Sequence, residues 1–214
     1  MNKTMSIGCL GTKIGMTQVF NDKGELVPVT VIKTDTCYIT QIKEEKICGY
    51  NAIQLGFSEF NSKNIKKSLT KPEMGHLLKE GLPLLRYLKE YKVESVSKFK
   101  VGDKINTTDF QIGELVTISG KTIGKGNAGN IKKHHFSRGP MSHGSKHHRA
   151  QGSLGAGTTP SRVFPGKKMP GRLGNQKQTL KNLQVVGLDH DNHLILIKGS
   201  IPGKFGNLVS ISKL

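Results

Sequence analysis

One segment restricts what this chain can fold into. From Gly124 to Gly174 no apolar stripe of strand or helix period survives, and the residues are mostly Gly, Pro, Ser, Lys and His. Such a stretch buries too little surface to offset its ordering entropy, so by itself it is expected to be disordered or nearly so. Its charge is equally one-sided. Between Leu115 and Leu188, 74 residues, there is no Asp or Glu, while the other 140 residues hold all fifteen acids. The same 74 carry thirteen Lys or Arg: Lys121, Lys125, Lys132, Lys133, Arg138, Lys146, Arg149, Arg162, Lys167, Lys168, Arg172, Lys177 and Lys181. Five of the eight histidines, His134, His135, His143, His147 and His148, lie there too. Of the net charge of +18, this segment supplies +13 and the rest of the chain +5. Positive charge gathered in one region is an electrostatic footprint for a polyanion, and nucleic acid fits it best.

Other readings of the segment fail on residue chemistry. An anionic membrane surface would need an apolar Leu, Phe or Trp face, which is missing, and no apolar run is long enough to span a bilayer. Gly124-Lys125-Gly126-Asn127-Ala128-Gly129 matches G-x-G-x-x-G, but no acid follows before Asp189 to hold a ribose. What those glycines still offer is backbone N–H groups that reach phosphates with no Cβ in the way. The histidines lack Cys, Asp or Glu neighbours to complete a metal set, so stacking on bases or donation to phosphate and 2′-OH groups is the expected role. Nucleophilic or Mg²⁺-assisted chemistry would need a carboxylate in this glycine-rich region, and there is none. A merely solvated face explains the cations but not the loss of every acid. With 6% aromatic residues and no Trp, the chain is poor in stacking platforms, which favours embedding in folded RNA over reading single strands. No cofactor, metal or small-molecule substrate is expected.

The flanks read as β structure. Thr12–Phe20 and Leu26–Thr34 surround Asn21-Asp22-Lys23-Gly24, a hairpin turn. Cys37–Ile42 and Ala52–Phe57 continue the series, and short strands at this spacing point to a closed barrel or a sandwich. Ser58–Lys71 is polar and reads as a surface loop. Pro72 opens a small helix, with Glu73 against its positive end and Met74, Leu77 and Leu78 as its apolar stripe, until Gly81-Leu82-Pro83 stops it. Leu84–Val93 fits strand or helix. Val101–Lys104 reads as a turn, and Leu115–Ile123 is a strand. Strands return at Leu183–Leu188, His193–Lys198 and Leu208–Ser212, with a turn at Asp189–Asn192. The chain thus leaves a β domain, makes a long excursion, and returns to finish the same domain. The reading is a discontinuous domain of residues 1–120 and 182–214, with residues 121–181 as a basic extension. Three cysteines at unrelated spacings fit a reducing compartment, and Met1–Thr4 does not open a signal or transit peptide.

Several motifs in order resemble one family over essentially the whole length. They are Ile7-Gly8, Gly11–Phe20 (GTKIGMTQVF), Lys71–His76 (KPEMGH), Ser119–Gly126, His143–Arg149 (HGSKHHR), Gly152–Gly155, and Thr159–Gly174 (TPSRVFPGKKMPGRLG). This is similar to the large-subunit ribosomal protein three family (L-three) in its bacterial and plastid form. The resemblance implies a mainly β fold, a translation-protein-type β-barrel with a small helical element and a long, largely irregular basic loop. It implies no enzymatic activity. It implies a structural constituent that binds 23S-type rRNA directly, nucleates early subunit assembly and neighbours ribosomal proteins L-fourteen and L-nineteen. The rRNA-binding residues would be Lys121, Lys125, Lys132, Lys133, His134, His135, Arg138, His143, Lys146, His147, His148, Arg149, Arg162, Lys167, Lys168, Arg172 and Lys177. By position the loop tip, near the RNA-built peptidyl-transferase centre in the family, would be Gly155, Ala156, Gly157, Thr158 and Thr159. Two positions depart from the family: Asn127 stands where an aromatic is usual, and Thr158 where many bacterial members carry a methylated Gln. Ala156–Thr159 resembles the cyanobacterial and plastid branch, so the implied location is a ribosome in a plastid or a bacterial cytoplasm, leaning to the plastid.

Overall fold

The computed structural model describes residues 8–60, 69–105 and 110–213. Ile7 of the opening motif and most of the Ser58–Lys71 loop lie outside the described residues. The protein is mainly β, with strands β1 (Gly8–Phe20), β2 (Leu26–Lys33), β3 (Cys37–Lys43), β4 (Ala52–Glu59), β5 (Leu85–Lys92), β6 (Lys104–Ile105), β7 (Leu115–Lys121), β8 (Asn127–Ala128), β9 (Gly171–Arg172), β10 (Lys177–Asp189), β11 (Leu194–Lys198) and β12 (Leu208–Lys213). Among the described residues there are three short helices: α1 (Glu45–Cys48), α2 (Lys71–Lys79) and α3 (Asn130–His134). Contacts divide the chain into two compact units, Met1–Lys121 with Lys177–Leu214, and Thr122–Gln176.

In the first unit six strands hydrogen-bond in the closed order β1-β12-β7-β10-β11-β2, with β2 returning to β1. Closure removes the free edges that an open sheet would expose. The β1–β2 ladder is the predicted hairpin, and Asn21 builds its turn by accepting from the amides of Lys23 and Glu25. Irregularities at Lys13/Gly15 in β1, Leu180/Leu183 and Val185/Gly187 in β10 bend the long strands, as a ring of this kind requires. The strands β3 and β4 do not join the ring. They form a separate sheet in the order β5-β4-β3-β6, and Leu84–Val93 therefore resolves as strand. Both sheets feed one apolar core, including Leu10, Ile32, Ile39, Phe57, Ile118, Ile195 and Ile211, all essentially inaccessible to solvent.

Helix α2 begins where Pro72 placed it. Thr70 precedes it, and the Glu73 carboxylate accepts from the Thr70 amide and hydroxyl, both at 2.8 Å. These bonds hold the Glu73 carboxyl below its ordinary value. The expected stripe is narrower than Met74, Leu77 and Leu78, because Leu77 is buried while Leu78 is 61% exposed. A nine-residue helix turns only one narrow face to the sheet.

Lys13, within the opening motif, is buried, and its ammonium donates to the carbonyls of Ile201 at 2.9 Å and Gly203 at 3.0 Å. Desolvation lowers its pKa. The lysine therefore ties the β11–β12 connection to β1, a structural use that its place in a basic protein does not reveal.

Candidate nucleic-acid interface

The unit Thr122–Gln176 is not the near-disordered arm that its composition implies. Its two ends are zipped together. Thr122 donates its amide to the Gln176 carbonyl at 2.9 Å, and Asn175 donates back to Thr122 at 3.2 Å. Lys125 donates to Leu173, and Leu173 to Gly126, both at 2.9 Å, before β8 and β9 pair at Asn127–Arg172 and Ala128–Gly171. The glycines permit this close passage. Gly174 has φ +72°, and a Cβ there would lie 2.0 Å from the Ile123 carbonyl oxygen. The Lys125 amide within the G-x-G-x-x-G pattern is thus spent on Leu173 rather than left facing outward, and the helix that follows, α3, has only five residues.

Beyond the neck, side chains tie backbone. Asn130 is buried, and its amide donates to the Lys168 carbonyl at 3.3 Å. His134 donates to the Met169 carbonyl at 3.1 Å, and His148 to the Pro140 carbonyl at 3.0 Å. The Gly139 amide meets the His148 carbonyl at 3.0 Å, closing a small loop whose other contact a Cβ on Gly139 would block. Farther along the chain, Ser161 donates to Gly157 at 3.2 Å, and Ser153 exchanges hydrogen bonds with Gly155. Gly155–Thr159 is accordingly a compact turn beside a shallow hollow of about 320 Å³ that Arg162 helps to line. The reason for order without periodicity is visible here: in this unit only Ala128 and Asn130 are buried, so backbone pairing and side-chain-to-backbone bonds hold it, not an apolar core.

The predicted interface residues fall into three groups. Lys125, Lys132, Arg138, Lys146, Arg149, Arg162, Lys167, Lys168 and Arg172 are exposed, as are His135, His143 and His147. Lys133 is half-buried, as are His134 and His148, each of which commits one ring nitrogen to a carbonyl. Lys121 and Lys177 belong to the other unit, where they stand opposite each other on β7 and β10, and Lys181 also lies on β10. The expected extension of residues 121–181 is therefore longer at both ends than the compact unit. The three ion pairs among the described residues, Lys33–Asp35, Lys43–Glu90 and Lys213–Glu114, all lie outside Thr122–Gln176. With no carboxylate inside the unit to answer them, its cations leave a continuous positive field, and their flexible stems let them meet phosphates at several spacings.

Residues 88–193 match the family model described as ribosomal protein L3. The chain is 54% identical over 209 residues to the large ribosomal subunit protein uL3c of Porphyra purpurea, covering 98% of this chain and 100% of that protein. It is 50% identical over 207 residues to the uL3c of Guillardia theta, covering 97% and 100%. A Synechococcus large ribosomal subunit protein uL3 is 54% identical over 208 residues, covering 97% and 96%.

Proposed function

Since this chain belongs to the ribosomal protein L3 family, we propose that it binds large-subunit rRNA of the 23S type through Thr122–Gln176. It is a structural component of the large ribosomal subunit and not an enzyme, in a ribosome of the plastid or bacterial cytoplasmic type. One observation carries the rRNA reading: a unit of exposed cations and glycines that contains no acid at all. Lys and Arg neutralise phosphates there, while the glycines and the narrow neck let backbone pass between RNA helices. The closed strand ring supports a translation-protein-type barrel as the platform that delivers this unit. The turn Gly155–Thr159 is the part assigned to the neighbourhood of the peptidyl-transferase centre, which it supports without taking part in the chemistry. Early binding that nucleates subunit assembly, and contacts with L-fourteen and L-nineteen, belong to the same reading.

The test is equilibrium binding of the full chain to a large-subunit rRNA transcript across a salt series. If about six phosphates are neutralised, affinity falls roughly a thousandfold between about 50 and about 200 mM salt, taking the duplex slope as a guide. A nearly flat profile contradicts the phosphate-clamp reading.

A further inference from the structure

The first unit carries a cleft of its own, about 280 Å³, walled by Leu10, Leu208 and Val209. Three lysines from three strands line it: Lys89 on β5, Lys121 on β7 and Lys177 on β10. Lys121 and Lys177 are direct cross-strand partners, an arrangement that places like charges opposite each other and is destabilising by itself. Among the described residues none of the three lysines makes an ion pair. Glu90, the acid next to Lys89 in sequence, is engaged by Lys43 at 2.6 Å. The polar groups that remain at the cleft are hydroxyls: Ser119, bonded to Thr179 at 2.8 Å, and Ser210, bonded to Tyr91 at 2.5 Å. The lining is thus three cations, two hydroxyls and an apolar wall, with no carboxylate.

We propose that Lys89, Lys121 and Lys177 form an oxyanion pocket that takes one phosphate of a nucleic-acid strand. The proposal rests on the rRNA-binding reading and extends it to a unit and a residue, Lys89, that the charge pattern of the sequence does not single out. Its position fits that role, because Lys121 is the last residue of this unit before the chain departs and Lys177 the first after it returns.

The pocket has a built-in readout. Burial, and then the charge of Lys177, depress the Lys89 pKa to about 8. The groups facing Lys89 are Lys121 from β7, Lys177 from β10 and Tyr91 on its own strand, whose ring lies 5.3 Å from the Lys89 ammonium. Burial raises the Tyr91 phenol, so it stays neutral in the range where Lys89 titrates. An incoming phosphate supplies the missing countercharge, raises the Lys89 pKa and draws a proton onto it. Each unit of that rise is worth roughly tenfold in affinity at alkaline pH.

The experiment is lysine side-chain NMR of the full chain, with calorimetry in buffers of different ionisation enthalpy at pH 8.5, using the rRNA transcript and, separately, inorganic phosphate. The expected result is a Lys89 resonance that titrates near pH 8 alone and shifts upward with the transcript, with net proton uptake. Lys89→Met should abolish the uptake and lower affinity several-fold at pH 7. Lys89→Arg should retain the pH 7 affinity and lose the pH dependence, which also controls for folding. Binding of the transcript with no change at Lys89 overturns the pocket and leaves the rRNA reading intact. Absence of transcript binding overturns both. A shift with inorganic phosphate and none with the transcript overturns the strand as occupant.

Discussion

Single residues show which lysines of this cationic protein stabilise its fold and which strain it. Lys13 stabilises it, since both its hydrogen bonds close the carbonyls of a loop. Lys13→Met should cost about 1–3 kcal/mol in denaturant unfolding, because those carbonyls lose their partner within the protein. An unchanged midpoint would mean that water replaces the ammonium there without cost. Burial lowers the pKa of both lysines, but at Lys13 two carbonyls offset that cost, whereas at Lys89 the charge of Lys177 adds to it. The folded pKa of Lys89, near 8, is below the unfolded value of about 10.4. The unfolded state therefore binds more protons between those values, and stability rises with pH across that window. Below pH 8 the folded state carries the full penalty. Lys89→Met should accordingly stabilise the free protein at pH 7 by about 1 kcal/mol after allowance for solvent screening, and by nothing near pH 11. Equal effects at both pH values would contradict this assignment of the penalty. Glu73 follows the carboxylate rule: its lowered pKa means that its contribution to α2 is present above the ordinary Glu range and is lost as the pH falls through the folded value. Neither lysine could be told from its neighbours in the sequence, since only tertiary structure distinguishes a buried ammonium from an exposed one.

At the scale of elements, legibility follows locality. The β1–β2 hairpin, the start of α2 at Pro72 and the Asp189–Asn192 turn were readable because their determinants sit within a few residues. The separation of β3 and β4 from the ring was not, because it depends on pairing with β5 and β6 far along the chain. The neck of the basic unit escaped for another reason. Its order comes from backbone bonds between Thr122–Ala128 and Gly171–Gln176, which leave no apolar period to detect. Gly174→Ala tests that account. The new methyl would meet the Ile123 carbonyl and sit at a positive φ, so the neck should open while the strand ring keeps its stability. Amide hydrogen exchange should then speed at Thr122, Lys125 and Leu173 but not at Ile118 or Ile195. Unchanged exchange at the neck would show that the zipped arrangement does not exist in solution.

For the whole molecule, charge was the most legible property and geometry the least. The acid-free span marked the surface proposed to meet a polyanion, but composition alone implied an arm without internal structure, whereas the chain forms two compact units. The difference changes what binding costs. A unit that already holds its own neck and turns has less ordering entropy to lose on meeting RNA than a disordered tail would. The measurement that tests the central claim most directly is sedimentation of the tagged protein from lysate through a high-salt wash. The account predicts that it remains with the large subunit, because a cationic unit enclosed by RNA is not released by screening its outer contacts. Recovery of the protein in the free fraction after the wash would contradict it and would point to a protein that visits RNA without staying.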